Sequence, residues 1–204
     1  MKIVKFYLCI LSALLIVSGC MVTKKFYPEK QYYLLEPIRN ANASQTQFKK
    51  SLQISRFRIS PAYKGKGFVY RLDDRQFESD YYNEFLISPE EMFTDVVKEW
   101  FTQSGLFSHV SNAPGYIEID YILESSIVEM YGDYRLKNNP IAVMTIQFSL
   151  IRDSRAQYRL ITQQRITKKI PISKGSRTHL VNGWNQALSE VLSILEQEFC
   201  KIKL

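Results

Sequence analysis

The chain has 204 residues, a formal net charge of +7, 46% hydrophobic and 13% aromatic residues. That apolar content at that length excludes a disordered polymer and suffices for one domain with a sizeable core. The basic residues are spread along the chain rather than gathered in one patch, which argues against a nucleic-acid partner.

The chain opens with Lys2 and Lys5, followed by an apolar run of twelve residues from Phe6 to Val17 that only Ser12 interrupts. A bilayer crossing takes about 18–20 apolar residues, so this run is too short to span. A basic start, a short apolar stretch and then small residues form the layout of an export signal. Val17-Ser18-Gly19-Cys20 resembles the lipobox of bacterial lipoproteins. The resemblance implies a diacylglyceryl thioether on Cys20, cleavage before it, and acylation of the new amino group. Residues 1–19 are therefore read as a signal peptide, whose loss takes Lys2 and Lys5 away and lowers the charge from +7 to +5. Cys9 leaves with the signal and Cys20 carries lipid, so Cys200 has no partner within the chain and the fold must hold by packing. Cys200 is read as a small apolar residue of the last helix. Residues 20–30 form the lipidated N-terminus and a polar tether that spans at most about 35 Å. Lys24, Lys25 and Lys30 suit anionic headgroups at about 1 kcal/mol each. Acyl chains, at about 0.8 kcal/mol per buried CH₂, dominate the anchoring.

Residues 31–204 read as a single domain. The stretch 32–36 predicts a first strand and 37–50 a polar loop. Leu52 and Ile54, then Phe57 and Ile59, predict a strand whose phase changes near Ser55-Arg56 through a bulge. Residues 60–67 turn the chain, and 68–82 read as a hairpin around Asp73-Asp74. Ser88-Pro89-Glu90-Glu91 announces a helix, with Ser88 as cap, Pro89 in the first turn and Glu91 completing a capping box. Its apolar stripe is Phe93, Val96, Val97, Trp100 and Phe101, and Gly105 stops it. Three alternating segments follow at 116–128, 141–152 and 157–172, each with one apolar row, as in an antiparallel sheet with one buried face. From Ser176 to Lys201 the residues Leu180, Trp184, Leu188, Val191, Leu192, Leu195 and Phe199 recur at helical spacing. The expected fold is α+β, a two-layer sandwich of a mainly antiparallel sheet packed against two helices.

The chemistry of an enzyme is not legible in this pattern. His109 and His179 are seventy residues apart, with no HExxH and no cysteine left for a metal cluster. There is no G-x-S-x-G elbow. The stretches GKG at 65–67 and KGS at 174–176 lack the spacing of a phosphate-binding loop. The acid pairs Asp73-Asp74 and Glu90-Glu91 read as a turn and a helix start. The expectation is a non-enzyme with no cofactor and no metal.

Residues 55–110 resemble the ABC-type transport auxiliary lipoproteins, including the PqiC-like partners of MCE-type lipid transport systems. The residues that carry the likeness are Arg56-Phe57, Pro61-Ala62-Tyr63, Val69-Tyr70-Arg71, Tyr82, Pro89 and Ser104-Gly105-Leu106-Phe107. YYLL at 32–35 and the C-terminal helix fit the same layout. Many members carry a tryptophan shortly before the proline, where this chain has Phe85. The resemblance implies a membrane-anchored accessory protein that docks or supports the periplasmic component of a transporter moving lipid between the inner and outer membranes. Met21 after the acylated cysteine is not the aspartate of inner-membrane retention, so an outer-membrane location is expected. Two alternatives are an anchored outer-membrane assembly factor, like a lipopolysaccharide-export plug, and a lipid-binding carrier.

Aromatic and basic residues are dense in 56–85. Tyrosine and arginine favour interfaces because they combine large contact area with polar tips. Arg56, Phe57, Tyr63, Tyr70, Arg71, Tyr82 and Phe85 are therefore the candidate docking residues, for a periplasmic MCE-type transporter subunit or for further copies of the same chain. The competing reading is a hairpin whose rings fill the core while its arginines stay solvated.

Overall fold

The structure is a computed structural model that describes residues 29–40, 48–113, 115, 117–154, 157–173 and 176–202. The signal peptide, Cys20 and the tether up to residue 28 lie outside the described residues.

Among the described residues nine strands form one curled sheet, and two α-helices lie on one of its faces. The two-layer α+β architecture expected from the apolar periodicity is therefore present. The strands are β1 (Gln31–Tyr33), β2 (Phe48–Ile54), β3 (Arg58–Ile59), β4 (Gly67–Arg71), β5 (Phe77–Phe85), β6 (Phe107–Ser111), β7 (Tyr121–Asp133), β8 (Ile141–Asp153) and β9 (Tyr158–Pro171). The helices are α1 (Pro89–Ser104) and α2 (Arg177–Lys201).

The spine is the antiparallel meander β7-β8-β9, paired almost along its whole length. The other edge of β7 is shared in succession by β2, β3 and β4, all parallel to it. Two arms grow from there: β6 adds to β2 in parallel, and β5 adds antiparallel to β4 with β1 parallel beyond it. The antiparallel ladders are the long ones. The short parallel ladders have no local signal, because their partners lie some fifty to seventy residues apart.

The serine cap, first-turn proline and terminal glycine expected at α1 are all present. Ser88 Oγ accepts from the Glu91 backbone N–H at 3.3 Å, Pro89 starts the helix, and Gly105 ends it at φ 66°. Only glycine takes that left-handed turn without steric cost. The predicted strand over 52–59 is instead two strands, β2 and β3, broken at Ser55–Phe57. Phe57 turns inward there, and its N–H donates to Thr94 Oγ1 of α1 at 3.0 Å.

A bulge between Ile127 and Glu129 changes the phase of β7. Before it Tyr121, Leu123 and Ile127 enter the core; after it Met130 does, and Tyr131 turns to the opposite face. The core lies between the sheet and the helices and holds Trp184, Phe57, Phe68, Phe93, Phe101, Phe148 and Phe199. Gly183 lets α2 sit close to the sheet, since a Cβ there would stand 2.6 Å from Ile172 Cγ2 and 2.7 Å from Ala142 Cβ.

The segment after β1 is the largest departure from the loop expected at 37–50. Residues 34–40 form an extended strap along α2. The Glu36 N–H donates to Asn185 Oδ1 at 2.8 Å and the Ile38 N–H to Ser189 Oγ at 3.1 Å. Acceptors at i and i+4 on one helix face thus satisfy alternate N–H groups of the strap. Arg39 ends this run in a forked ion pair with Glu196, at 2.6 and 3.0 Å.

Candidate functional site

Strand alternation divides the aromatic-basic segment into two sets. Phe57, Tyr70 and Phe85 are buried. Phe57 packs against Phe93 and Phe148, with ring centroids 5.7 and 6.3 Å away. Phe85 packs against Phe68 and Trp184 at 4.8 and 5.7 Å. These three residues thus follow the competing reading, in which the rings fill the core, and their burial argues against a docking role for them. Arg56, Tyr63, Arg71 and Tyr82 keep surface. Arg56 lies over the first turn of α1, paired with Glu90 at 3.3 Å and Glu91 at 3.7 Å.

Tyr63 and Arg71 meet on the sheet face that the helices leave uncovered. The Tyr63 ring stacks on Tyr131 at 6.2 Å, and Phe77 meets Tyr131 edge to face at 5.7 Å. The Arg71 guanidinium lies over Phe77 at 5.6 Å and donates to the carbonyls of Asp73 and Asp74 at 3.3 and 3.0 Å. Burial, and then Glu129 nearby, push the Tyr63 phenol above its ordinary range, so it stays a neutral donor. Phe77 remains exposed at the centre of the group.

Charges flank these rings. Arg135 forks onto Asp133 at 2.8 and 3.1 Å and reaches Asp74 at 2.8 Å. The hydrogen bond from Arg135 holds the Asp133 carboxyl below the usual range. Beside them a recess of about 390 Å³ is lined by Asp73, Asp74, Asp133, Arg135, Leu136, Asn139 and Ile141. Tyr63 and Phe77, set against the buried Tyr131 and flanked by fixed charges, form a surface suited to gripping another protein. Tyr131 and Phe77 were missed among the candidates. Tyr131 was hidden by the β7 bulge, while Phe77 was visible within the dense segment.

Asp80, also missed, is the hub of a second polar group. Its carboxylate accepts from the Tyr70 hydroxyl at 2.6 Å, from the N–H groups of Tyr82 and Asn83 at 2.8 and 3.1 Å, and from Asn83 Nδ2 at 2.8 Å. Arg177 approaches it at 3.4 Å and lies over the Tyr70 ring at 4.8 Å. Burial opposes ionisation of Asp80, but these hydrogen bonds outweigh it and lower its pKa. Burial and then the Asp80 bond raise that of Tyr70 far above the ordinary phenol value. A depressed folded-state pKa means that the unfolded chain binds more protons as acid is added. The Asp80 contribution is thus complete above the ordinary carboxylate range, near pH 4, and is lost as pH falls through the lowered value. Asp80→Asn is expected to cost about 1–2 kcal/mol at neutral pH and to flatten the fall in stability below pH 4. Urea unfolding followed by circular dichroism from pH 7 to pH 3 checks both.

A recess of about 860 Å³ runs between the strap and α2. Glu36, Ile38, Lys168, Asn185, Glu190 and Ile194 line it, so its wall mixes polar tips with apolar surface. Among the described residues no group of three or more His, Cys, Asp or Glu side chains could hold a metal ion. Likewise, no helix among them is long and apolar enough to cross a membrane.

No family model matches the chain, and no curated protein does. Solved structures do. The crystal structure of protein XCC0632 from Xanthomonas campestris, of family DUF330, superposes with a TM-score of 0.71 over 84% of this chain and 100% of its own, at 17% identity. The fold is shared with DUF330. A second crystal structure, of an uncharacterized protein, superposes at 0.66 over 84% of this chain and 99% of its own, at 14% identity. At these identities the likeness is one of architecture.

Proposed function

We propose that the chain is an outer-membrane-anchored accessory lipoprotein of an MCE-type lipid transport system, with no catalytic role of its own. Its folded part serves as docking or structural partner of the periplasmic transporter component. The observation that carries this reading is the order and spacing of the residues resembling the ABC-type auxiliary lipoproteins, on a chain whose fold matches DUF330 along nearly its whole described length. The lipobox resemblance at Cys20 supplies the anchor, and Met21 favours the outer membrane. The surface of Tyr63, Arg71 and Phe77, backed by the buried Tyr131, is the docking face in this reading.

The test is capture of the periplasmic MCE-domain subunit by the purified chain. Phe77→Glu and Arg71→Ala are expected to weaken capture about tenfold or more, as truncation of an interface anchor does. Their effect on unfolding free energy should stay near 1 kcal/mol or less, because Phe77 is exposed and the partners of Arg71 are the exposed Phe77 ring and the turn residues Asp73 and Asp74. Unchanged capture by both variants would remove this face from the interface. A wild-type chain that captures no such subunit would remove the transport reading.

A further inference from the structure

The β1–β5 edge of the sheet presents apolar side chains to solvent. Tyr32 is 55% exposed, Leu34 40%, Tyr81 70% and Leu86 50%. Tyr32 stands opposite Glu84 and Tyr33 opposite Phe85. Tyr33 and Phe85 face the core, so alternation turns Tyr32, Leu34, Glu84 and Leu86 to the other side. The Leu86 N–H donates to the Tyr33 carbonyl at 2.9 Å, which carries the pairing one step further and sets Leu34 beside Leu86. Tyr81 and Tyr82 meet edge to face at 5.1 Å. Lys30 Nζ lies 4.5 Å from the centre of the Tyr81 ring, and Lys66 Nζ bonds the Leu86 carbonyl at 2.9 Å. These contacts join the residues into one patch.

We propose that this patch rests on the bilayer that anchors the chain, with its leucines and tyrosine rings at headgroup level and its lysines toward the phosphates. The inference rests on the reading of Cys20 as lipidated. It is carried by where the patch lies: it begins at Lys30, ten residues after Cys20, a separation of at most about 35 Å even at full extension. The first strand after Cys20 among the described residues, β1, is one of the two that bear the patch. Tyrosine and lysine, each an apolar stem with a polar tip, are the residues that prefer the boundary between headgroups and acyl chains. Lys30 is balanced by Glu84 at 2.8 Å, and Glu29 lies beside it in the chain, so charge contributes little. Burial of the rings and leucines drives the contact, and it therefore withstands salt. A second copy covering the same patch is the competing occupant; proximity to the anchor favours the bilayer.

Hydroxyl-radical footprinting separates these. Tyr81 and Tyr158 are 70% and 74% exposed, and Tyr158 lies on β9, across β7 and β8 from the arm that bears Tyr81, which makes Tyr158 an internal reference. The full acylated chain is placed in vesicles of phosphatidylethanolamine and phosphatidylglycerol at one chain per vesicle. Tyr81 and Tyr32 are expected to label about fivefold more slowly than Tyr158, in low salt and in high salt alike. Equal labelling on vesicle-bound chain overturns the patch and leaves the anchor standing. Protection that appears only at several chains per vesicle assigns the patch to a second copy and overturns it as well. A chain that fails to float with the vesicles and shows a free thiol at Cys20 overturns both the anchor and the patch.

Discussion

Glu196→Ala is expected to lower the unfolding free energy by about 3–5 kcal/mol, the usual cost of removing one member of a buried ion pair. Glu196 joins three elements. Its carboxylate takes the fork of Arg39 from the strap and the indole N–H of Trp100 from α1, at 2.9 Å, while its own backbone belongs to α2. The Arg39 and Glu196 side chains are only 5% and 11% exposed. Truncation therefore leaves a guanidinium and an indole N–H enclosed without their shared acceptor. For a domain of this length the loss corresponds to a fall in melting temperature of about 10 °C. Glu196→Gln should retain the Trp100 bond and lose less. Arg39→Met combined with Glu196→Met should recover part of the loss, because it removes both charges together. Thermal unfolding of the three variants checks the order. A Glu196→Ala chain as stable as the parent would show that water reaches Arg39 and that the network is not enclosed.

Phe57→Ala and Phe85→Ala should each cost about 3–5 kcal/mol, as removal of a sealed aromatic ring does. Both rings touch α-helical as well as sheet residues: Phe57 meets Phe93 of α1, and Phe85 meets Trp184 of α2. Their loss loosens the joint between layers. Arg56→Ala and Tyr82→Ala, in the same dense segment but on the surface, should cost about 1 kcal/mol or less. Denaturant midpoints of the four variants separate core from surface within one stretch of thirty residues. If Phe57→Ala and Phe85→Ala kept full stability but lost partner capture, the assignment of these rings to the core would fail.

The contrast between those residues shows which parts of the structure could be read from the chain. Helix α1 was legible to the residue, since its cap, first-turn proline and terminal glycine are adjacent in sequence and act locally. The meander β7-β8-β9 was legible because each strand is long enough for the two-residue period to show. The beginning of β7 was not: Ile117 and Ile119 continue the alternation, yet pairing starts only at Tyr121, and Ile117 is exposed. Periodicity reports which face a residue would take and not where a partner strand begins. The same limit applies to the candidate site. Composition drew attention to 56–85, but assigning Tyr70 inward and Arg71 outward needed the register of β4 against β5. The β7 bulge that delivers Tyr131 to Tyr63 has no mark of its own. The Arg39–Glu196 pair joins residues 157 apart in the chain, a separation that no spacing rule covers.

The dependence on β7 has a consequence for how the chain reaches its folded form. β2, β3 and β4 all find their partner in residues 121–133, so most of the first hundred residues cannot complete a sheet until that strand has emerged. The strap waits longer still, for a helix near the end of the chain. Such distant pairings make for slow folding and for strand edges that stay open in the interval. A nascent copy that emerges N-terminus first therefore keeps these strand edges unpaired until β7 arrives to join both arms.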